Sequence, residues 1–158
     1  KKLDIANWHS FKVSDVLHRE KIKSISSIIR SFSSGYIPVI TNTALNNGIG
    51  KRLNVTENKY LHTGNCLSYG AKGGLFFYQP NQWASTDHVH MFISKHLNLN
   101  VGLFLCTVLN KLILIKGGWS SGLESNILNE NILLPYKRID NKYEPDWEWM
   151  DKFIDNKF

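Results

Sequence analysis

The sequence predicts one globular domain of the α+β class, rich in β-strands, with a few short helices and the start of a C-terminal helix. Before Asn100, short β-like runs alternate with Gly, Pro and Asn turns. After Asn100, apolar residues recur at helical spacing, and an amphipathic segment follows Pro145. The 158 residues, 42% hydrophobic and 20% charged, suffice for one buried core and exclude a disordered chain.

The first predicted elements lie near the N-terminus. Trp8, Phe11 and Val13 predict a short strand, which leads into a helical turn with Ser14 as its N-cap. The serine-rich residues 24–34 predict a loop that a few apolar side chains anchor to the domain.

A strand and an exposed turn are predicted next. Residues 36–40 are β-like, and Pro38 places this strand at a sheet edge or at a bulge. Residues 41–49 form the predicted turn, in which Asn47 and Gly48 adopt positive φ at low cost.

The remaining strands and the longest helix follow from the same signals. Further strands are predicted at residues 66–69, 75–79, 88–93 and 132–135. Apolar residues from Val101 to Ile113 predict the helix, with Asn98 or Asn100 as its N-cap and Gly117-Gly118 at its end.

The C-terminal segment predicts a helix with Asp146 as N-cap. Its apolar stripe consists of Trp147, Met150, Phe153, Ile154 and Phe158. Either this stripe docks back on the domain, or it packs against another helix. Under the second interpretation, the partner-docking residues are Trp147, Met150, Ile154 and Phe158, whose 3-4-4 spacing approximates one seam. Deleting residues 147–158 should abolish association under the second interpretation and unfold the body under the first.

The charge distribution divides the chain into a body, residues 1–143, and a tail, residues 144–158. The body has 17 Lys and Arg against 8 Asp and Glu, hence +9, whereas the tail has 2 against 5, hence −3. A basic body favours binding to the phosphate backbone of DNA. The alternative is a Lys-rich surface that only contacts solvent.

Cellular location follows from composition. No uncharged apolar run reaches the length of a membrane span, and residues 1–4 lack the apolar stretch of a signal peptide. Cys66 and Cys106 are the only cysteines and do not form a CxxC pair. We therefore expect a cytoplasmic protein without a disulfide, a cofactor or a membrane contact.

Catalytic and metal-binding motifs are weak. His88 and His90 would place two imidazoles on one strand face, but no third ligand has a recognised spacing. Asp146, Asp155 and Lys157 resemble a nuclease set only superficially, because about two helical turns separate the later pair from Asp146. No Gly-x-Ser-x-Gly or His-Glu-x-x-His motif is present. The sequence therefore predicts a binding module without catalytic or metal-ligating residues.

Polar, basic and aromatic residues are interleaved in the predicted loops, as DNA contacts require. Asn and Gln recognise adenine edges, whereas Arg and Lys recognise guanine or hold phosphates. The predicted DNA-binding residues are Thr43, Asn46, Asn47, Lys51, Arg52, Lys72, Tyr78, Gln79, Trp83, Lys116, Trp119 and Ser121. The competing hypothesis is a lectin-like or protein-interaction domain that uses Trp83 and Trp119 as its ligand platform.

Several motifs, taken in order along nearly the whole chain, resemble a known family. They are Trp8-x-x-Phe11-x-Val13-x-Asp15-x-Leu17, Gly35-Tyr36-Ile37-Pro38-Val39-Ile40-Thr41, Asn46-Asn47-Gly48-Ile49, Gly73-Gly74-Leu75-Phe76-Phe77-Tyr78, and Ile132-Leu133-Leu134-Pro135 with Pro145-Asp146-Trp147-x-Trp149-Met150-x-x-Phe153-Ile154. In order and spacing, these motifs resemble the target-recognition domains of type I restriction-modification specificity subunits and of related type IIB and IIG enzymes.

The resemblance implies a function and a set of partners. It implies a domain that recognises one half of a bipartite site in double-stranded DNA. It also implies a separate DNA adenine methyltransferase subunit or domain, which transfers the methyl group from S-adenosylmethionine. A specificity subunit has two recognition domains and two long helices, whereas this chain has one domain and the start of one helix. The resemblance thus implies an excised module, a half-subunit that dimerises through the C-terminal helix, or a short relative.

Overall fold

The computed structural model describes residues 3–116 and 126–157 of the chain. The strands are β1 His9–Lys12, β2 His18–Glu20, β3 Ser34–Ile40, β4 Ile49–Leu53, β5 Cys66–Gly70, β6 Phe76–Gln79, β7 Ala84–Ser85, β8 Val89–Ile93, β9 Asn131–Leu134, β10 Tyr136–Ile139 and β11 Lys142–Pro145. The α-helices are α1 Val13–Val16, α2 Leu99–Lys116 and α3 Trp147–Asp155. Single 3-10 turns occupy Ser26–Ser31, Asn46–Gly48, Asn58–Tyr60 and Ile127–Asn129. This mixture confirms the α+β prediction.

A four-stranded antiparallel sheet, ordered β2-β8-β5-β6, carries α2 against it. The central strand β5 is buried along its whole length, and Leu67 lies opposite Tyr78 on one side and Phe92 on the other. Helix α2 lies so close to β6 that a Cβ at Gly102 would overlap the Tyr78 ring. The side chains between sheet and helix, which we call the helical core, include Leu67, Phe76, Phe92, Leu105, Leu109 and Met150.

The ends of the chain complete the helical core. Strands β1 and β9 form an antiparallel ribbon, with Phe11 opposite Ile132 and both side chains buried. Helix α3 packs on α2 and buries Met150 completely. The side chain of Asn100 donates to Asp151 Oδ1 at 2.9 Å, so a polar bond also joins the two helices.

A smaller sheet, ordered β4-β3-β7, forms the second part of the molecule. Together with its connecting turns we call it the three-stranded side. Its core is small and consists mainly of Ile25, Val39, Leu53, Val55, Tyr60 and Ala84. Strand β7 has two residues and runs parallel to β3. A separate hairpin, β10–β11, is mostly exposed.

The structure confirms the predicted strands within one or two residues, and it confirms α2. Asn98 is the cap of α2, since its Oδ1 accepts from Val101 N at 2.9 Å. Pro38 lies between two irregularities in the β3–β4 register, in agreement with the predicted bulge. The predicted Ser14 cap is wrong, because α1 begins at Val13 and has no side-chain cap. Gly117-Gly118 lies outside the described residues.

The C-terminal helix follows the fold-back interpretation. Asp146 is its N-cap as predicted, with Oδ1 accepting from Trp149 N at 3.1 Å. Met150 was a predicted partner-docking residue, but it is fully buried in the chain's own core. Trp147 stacks on His96 at 4.6 Å, and Ile154 packs against the same core. Phe158 lies outside the described residues, and the expected boundary between residues 143 and 144 falls within β11.

Helix α2 is long and apolar enough to cross a membrane, by length and composition alone. In the fold it is a core helix. Its buried residues, Phe104, Leu105, Leu109 and Ile113 among them, pack on β5, β6, β9 and α3. Burial within the domain explains the apolar residues on this face of the helix, whereas Leu99, Leu114 and Ile115 are exposed.

Candidate nucleic-acid interface

The loop between β3 and β4 has a fixed, left-handed conformation. Asn46, Asn47 and Gly48 have φ values of 52°, 54° and 80°, so three consecutive residues occupy the region that Asn and Gly tolerate best. A Cβ at Gly48 would lie 3.0 Å from Phe77 Cδ2, which adds a steric reason for glycine. Thr43 Oγ1 accepts from Leu45 N at 3.1 Å and closes the first half of the loop.

Hydrogen bonds from the sheet hold this loop in place. Gln79 Nε2 donates to the Asn47 carbonyl oxygen at 3.0 Å and to Ser68 Oγ at 3.0 Å. In return, Asn47 Nδ2 donates to the Tyr78 carbonyl oxygen at 3.1 Å. Because Gln79 and Ser68 are buried, these bonds are shielded from water, and the Asn46–Asn47 turn is anchored to β6.

A groove of about 390 Å³ lies beside the anchored turn. We call it the recognition groove. Its exposed polar and aromatic side chains are Tyr36, Asn47, Arg52, Asn81 and Gln82, and the buried Gln79 also lines it. Tyr36 is 92% exposed, the highest exposure of any large hydrophobic residue in the described ranges. Arg52 Nη1 donates to the Tyr36 carbonyl oxygen at 3.2 Å, which positions the guanidinium at the groove.

The side chains of the recognition groove can form hydrogen bonds in the major or minor groove of a nucleic acid. Its amides and guanidinium are the groups that hydrogen-bond to base edges, and a tyrosine can contact a sugar, a base or a phosphate. Lys51, next to Arg52 on β4, is exposed as well. Within residues 3–116 and 126–157, neither cation forms a salt bridge with a carboxylate.

Three predicted DNA-binding residues are buried, so their predicted exposure in loops is wrong. Trp83 has no exposed surface, and its Nε1 donates to the Thr63 carbonyl oxygen at 3.2 Å. Tyr78 is 8% exposed under α2, and its hydroxyl donates to Asn65 Oδ1. Gln79 is 2% exposed and supports the turn. The competing ligand platform thereby loses Trp83, while Trp119 lies outside the described residues.

The other predicted residues are divided between locations. Thr43, Asn46, Asn47, Lys51 and Arg52 lie together on the β3–β4 loop and on β4. Lys72 lies in the β5–β6 turn. Its backbone N–H donates to Asn42 Oδ1 at 3.0 Å, at the opposite end of the β3–β4 loop. Lys116 ends α2 and forms an ion pair with Glu130 at 3.5 Å, apart from the groove. Ser121, like Trp119, lies outside the described residues.

Burial shifts the pKa values of three groups: His62 beside the three-stranded side, Cys66 on β5 and Cys106 on α2. Burial lowers the pKa of His62 to about 4, and His62 Nε2 lies 3.1 Å from Ser85 Oγ. Burial also raises the pKa of the Cys66 thiol to about 11 and raises that of Cys106 further. Both thiols therefore stay protonated at neutral pH, and His62 stays neutral.

The weak catalytic and metal motifs are dispersed. His88 precedes β8 and has φ 66°, so it does not share a strand face with His90 as the motif would require. Asp146 serves as the α3 cap, whereas Asp155 is the last residue of that helix. In the part of the chain that the structure describes, no three His, Cys, Asp or Glu side chains are grouped to hold a metal ion.

Sequence reasoning missed Tyr36, Asn81 and Gln82 as groove residues. Tyr36 was assigned only to a strand, and Asn81 only to a turn. The available signal was the polar composition of Pro80-Asn81-Gln82 after β6. Its position next to Tyr36 depends on long-range pairing, which local patterns do not report.

Comparisons with known proteins show the family and a similar fold. The family model described as "Type I restriction modification DNA specificity domain" matches residues 5–157. The crystal structure of the HsdS subunit from Thermoanaerobacter tengcongensis has a similar fold, with a TM-score of 0.62 and 10% sequence identity. The similarity covers 94% of this chain and 37% of the length of that subunit. No curated protein sequence matches this chain significantly.

Proposed function

Because this chain belongs to the type I restriction modification DNA specificity domain family, we propose that it recognises one half of a bipartite site in double-stranded DNA and takes no part in catalysis. Recognition of DNA sequence is the role that the family name describes. Recognition of half of a site, rather than of a whole site, is supported by the similarity to the HsdS subunit, which covers 37% of the length of that subunit.

The recognition groove is the observation that carries the proposal. It combines the exposed Tyr36 ring, the Arg52 guanidinium and the amides of Asn47, Asn81 and Gln82 on one surface. Base edges in the major groove offer acceptors to Arg and paired donors and acceptors to Asn and Gln. The left-handed turn at Asn46 and Asn47 is anchored before DNA arrives, so binding need not order it.

The sequence-independent part of the affinity should come from cations around the groove. Arg52 lines the groove, and Lys51, the preceding residue of β4, is exposed on the other face of that strand. Lys72 lies in the β5–β6 turn, near the other end of the β3–β4 loop. Each cation that neutralises a phosphate releases counterions, so binding weakens as salt concentration rises. Thr43 and Asn46 are then placed to contact sugars, phosphates or base edges.

Methyl transfer is assigned to a partner. We propose that a DNA adenine methyltransferase subunit associates with this domain, and that a second recognition domain supplies the other half of the site. If α3 takes part in association, the contact uses its outer face, with Glu148, Trp149 and Lys152, since Met150 faces the core. A complex of this kind would act in the cytoplasm, where the DNA is.

Duplex binding by two matched variants tests the proposal. Arg52→Gln removes a cation of the groove, and Arg30→Gln removes an exposed cation from the turn Ser26–Ser31, which does not line the groove. Fluorescence anisotropy with random duplex should show weaker binding for Arg52→Gln, with a salt slope smaller by about 0.9, and no change for Arg30→Gln. Absence of binding by the native chain at low salt, alone and with a methyltransferase subunit, would overturn the proposal.

A further inference from the structure

A second depression, of about 560 Å³, lies between β2 and the turn that joins β7 to β8. We call it the Arg19 cleft; the residues on which its chemistry depends are Arg19, Lys21, Thr86, His88 and His90. We propose that the Arg19 cleft binds a backbone phosphate of the same DNA duplex, beyond the recognition groove. This inference rests on the proposed function, because it extends the DNA contact to a second surface.

The donors of the cleft are organised by a short hydrogen bond. Arg19 Nη2 lies 2.6 Å from His90 Nδ1, and a guanidinium can only donate. His90 Nδ1 is therefore the acceptor of this bond. The bond holds the guanidinium, a group that binds phosphate well, in a fixed position beside the imidazole.

The backbone of the cleft is held in an unusual conformation. His88 has a φ of 66°, which costs energy for a residue other than glycine. Its carbonyl oxygen accepts from Ala71 N at 3.0 Å, so the β5–β6 turn with Lys72 is attached to it. Strained residues concentrate at binding sites, where the surrounding structure imposes them.

The loop between β3 and β4 joins the Arg19 cleft to the recognition groove. At one end, Asn42 Nδ2 donates to the Asp87 carbonyl oxygen at 2.8 Å, and Asn42 Oδ1 accepts from Lys72 N. At the other end, Asn47 is bonded to β6 beside the groove. The two depressions therefore lie near opposite ends of this loop, and we infer that one duplex contacts both.

The charges of the cleft predict whether the loss of each charged group should weaken or strengthen DNA binding. Arg19 and Lys21 are cations, whereas Glu20 and Asp87 are carboxylates. Glu20 Oε1 lies 3.8 Å from His18 Nε2, an ion pair only when that imidazole is protonated. If phosphate occupies the cleft, loss of a cation should weaken DNA binding, and loss of the Asp87 charge should strengthen it.

Four single variants of the full chain test the inference. Affinity for random duplex should fall about tenfold in Arg19→Gln and should also fall in Lys21→Gln. The salt slope of each variant should be lower by at most about 0.9, the value for one phosphate. Asp87→Asn should bind several-fold more tightly than the native chain. Arg30→Gln, a matched loss of an exposed arginine outside the cleft, should bind like the native chain.

The outcomes separate the inference from the proposed function. If Arg52→Gln weakens binding while Arg19→Gln, Lys21→Gln and Asp87→Asn match Arg30→Gln, the Arg19 cleft does not contact DNA and the inference is overturned. If inorganic phosphate protects the folded chain from heat at constant ionic strength, yet Arg19→Gln leaves duplex affinity unchanged, the cleft binds free phosphate and the inference also fails. If the native chain binds no duplex, the proposed function fails first.

Discussion

The helical core and the three-stranded side differ in what holds them together. Around α2, large apolar side chains such as Leu67, Phe92 and Leu109 are fully buried. The three-stranded side has a smaller apolar cluster, and buried polar pairs such as His62 with Ser85 lie beside it. Apolar burial is nondirectional, whereas hydrogen bonds fix positions. The first region therefore supplies most of the stability, and the second sets the geometry of the recognition groove.

The largest expected effect is on the helical core. Met150→Ala should lower the free energy of unfolding by about 2–5 kcal/mol, because it leaves a cavity between α3 and α2. Chemical denaturation measures this loss, and Lys152→Ala on the exposed face of α3 is the control. If Met150→Ala kept full stability but lost association with a partner, the helix would dock outward and the comparison of the two regions would be wrong.

The next effect concerns pH and the three-stranded side. The folded-state pKa of His62 is about 4, below its ordinary value of 6.5, so the unfolded chain binds more protons between these values. Stability is therefore complete above pH 6.5 and should fall by about 3 kcal/mol as pH decreases to 4. Unfolding curves across this range should have a smaller pH slope in His62→Gln. An equal slope in the variant would assign the acid sensitivity to other groups.

A smaller effect is expected where the two regions meet. Gln79→Ala removes the donor to Asn47 O and leaves Ser68 with fewer partners, at a cost of about 1–3 kcal/mol. Sequence preference should weaken in this variant although Gln79 is buried, because the Asn46–Asn47 turn loses its anchor. Gln82→Ala, at an exposed position in the recognition groove, should keep stability. Unchanged preference in a folded Gln79→Ala chain would show that the turn needs no anchor.

The fold was predictable where local patterns decide it. Apolar periodicity and the Asn98 cap specify α2, and apolar runs between glycines and prolines specify β5, β6 and β8. Strands β2, β4, β7, β10 and β11 were missed. Strand β2 and the middle of β4 are polar, β7 has two residues, and the β10–β11 hairpin lacks an alternating apolar pattern, so tertiary pairing alone defines them.

The site was predictable only in part, for the same physical reason. Asn47 and Gly48 predict the turn, because both residues tolerate positive φ. Trp83 follows the polar residues 80–82 and resembles a loop residue, but its pairing with His62 buries it. Gln79 ends an apolar strand, and only the fold shows that its amide donates to the turn.

We assign recognition of bases to the Asn46–Asn47 turn and phosphate binding to the cations next to it. The most direct measurement is selection of bound duplexes from a random library, with a methyltransferase subunit present, for the native chain, Asn46→Ala and Lys51→Ala. Asn46→Ala should change the preference at one base position by about 1–3 kcal/mol, whereas Lys51→Ala should bind every sequence more weakly and keep the native preference. The same uniform loss in both variants would contradict the account.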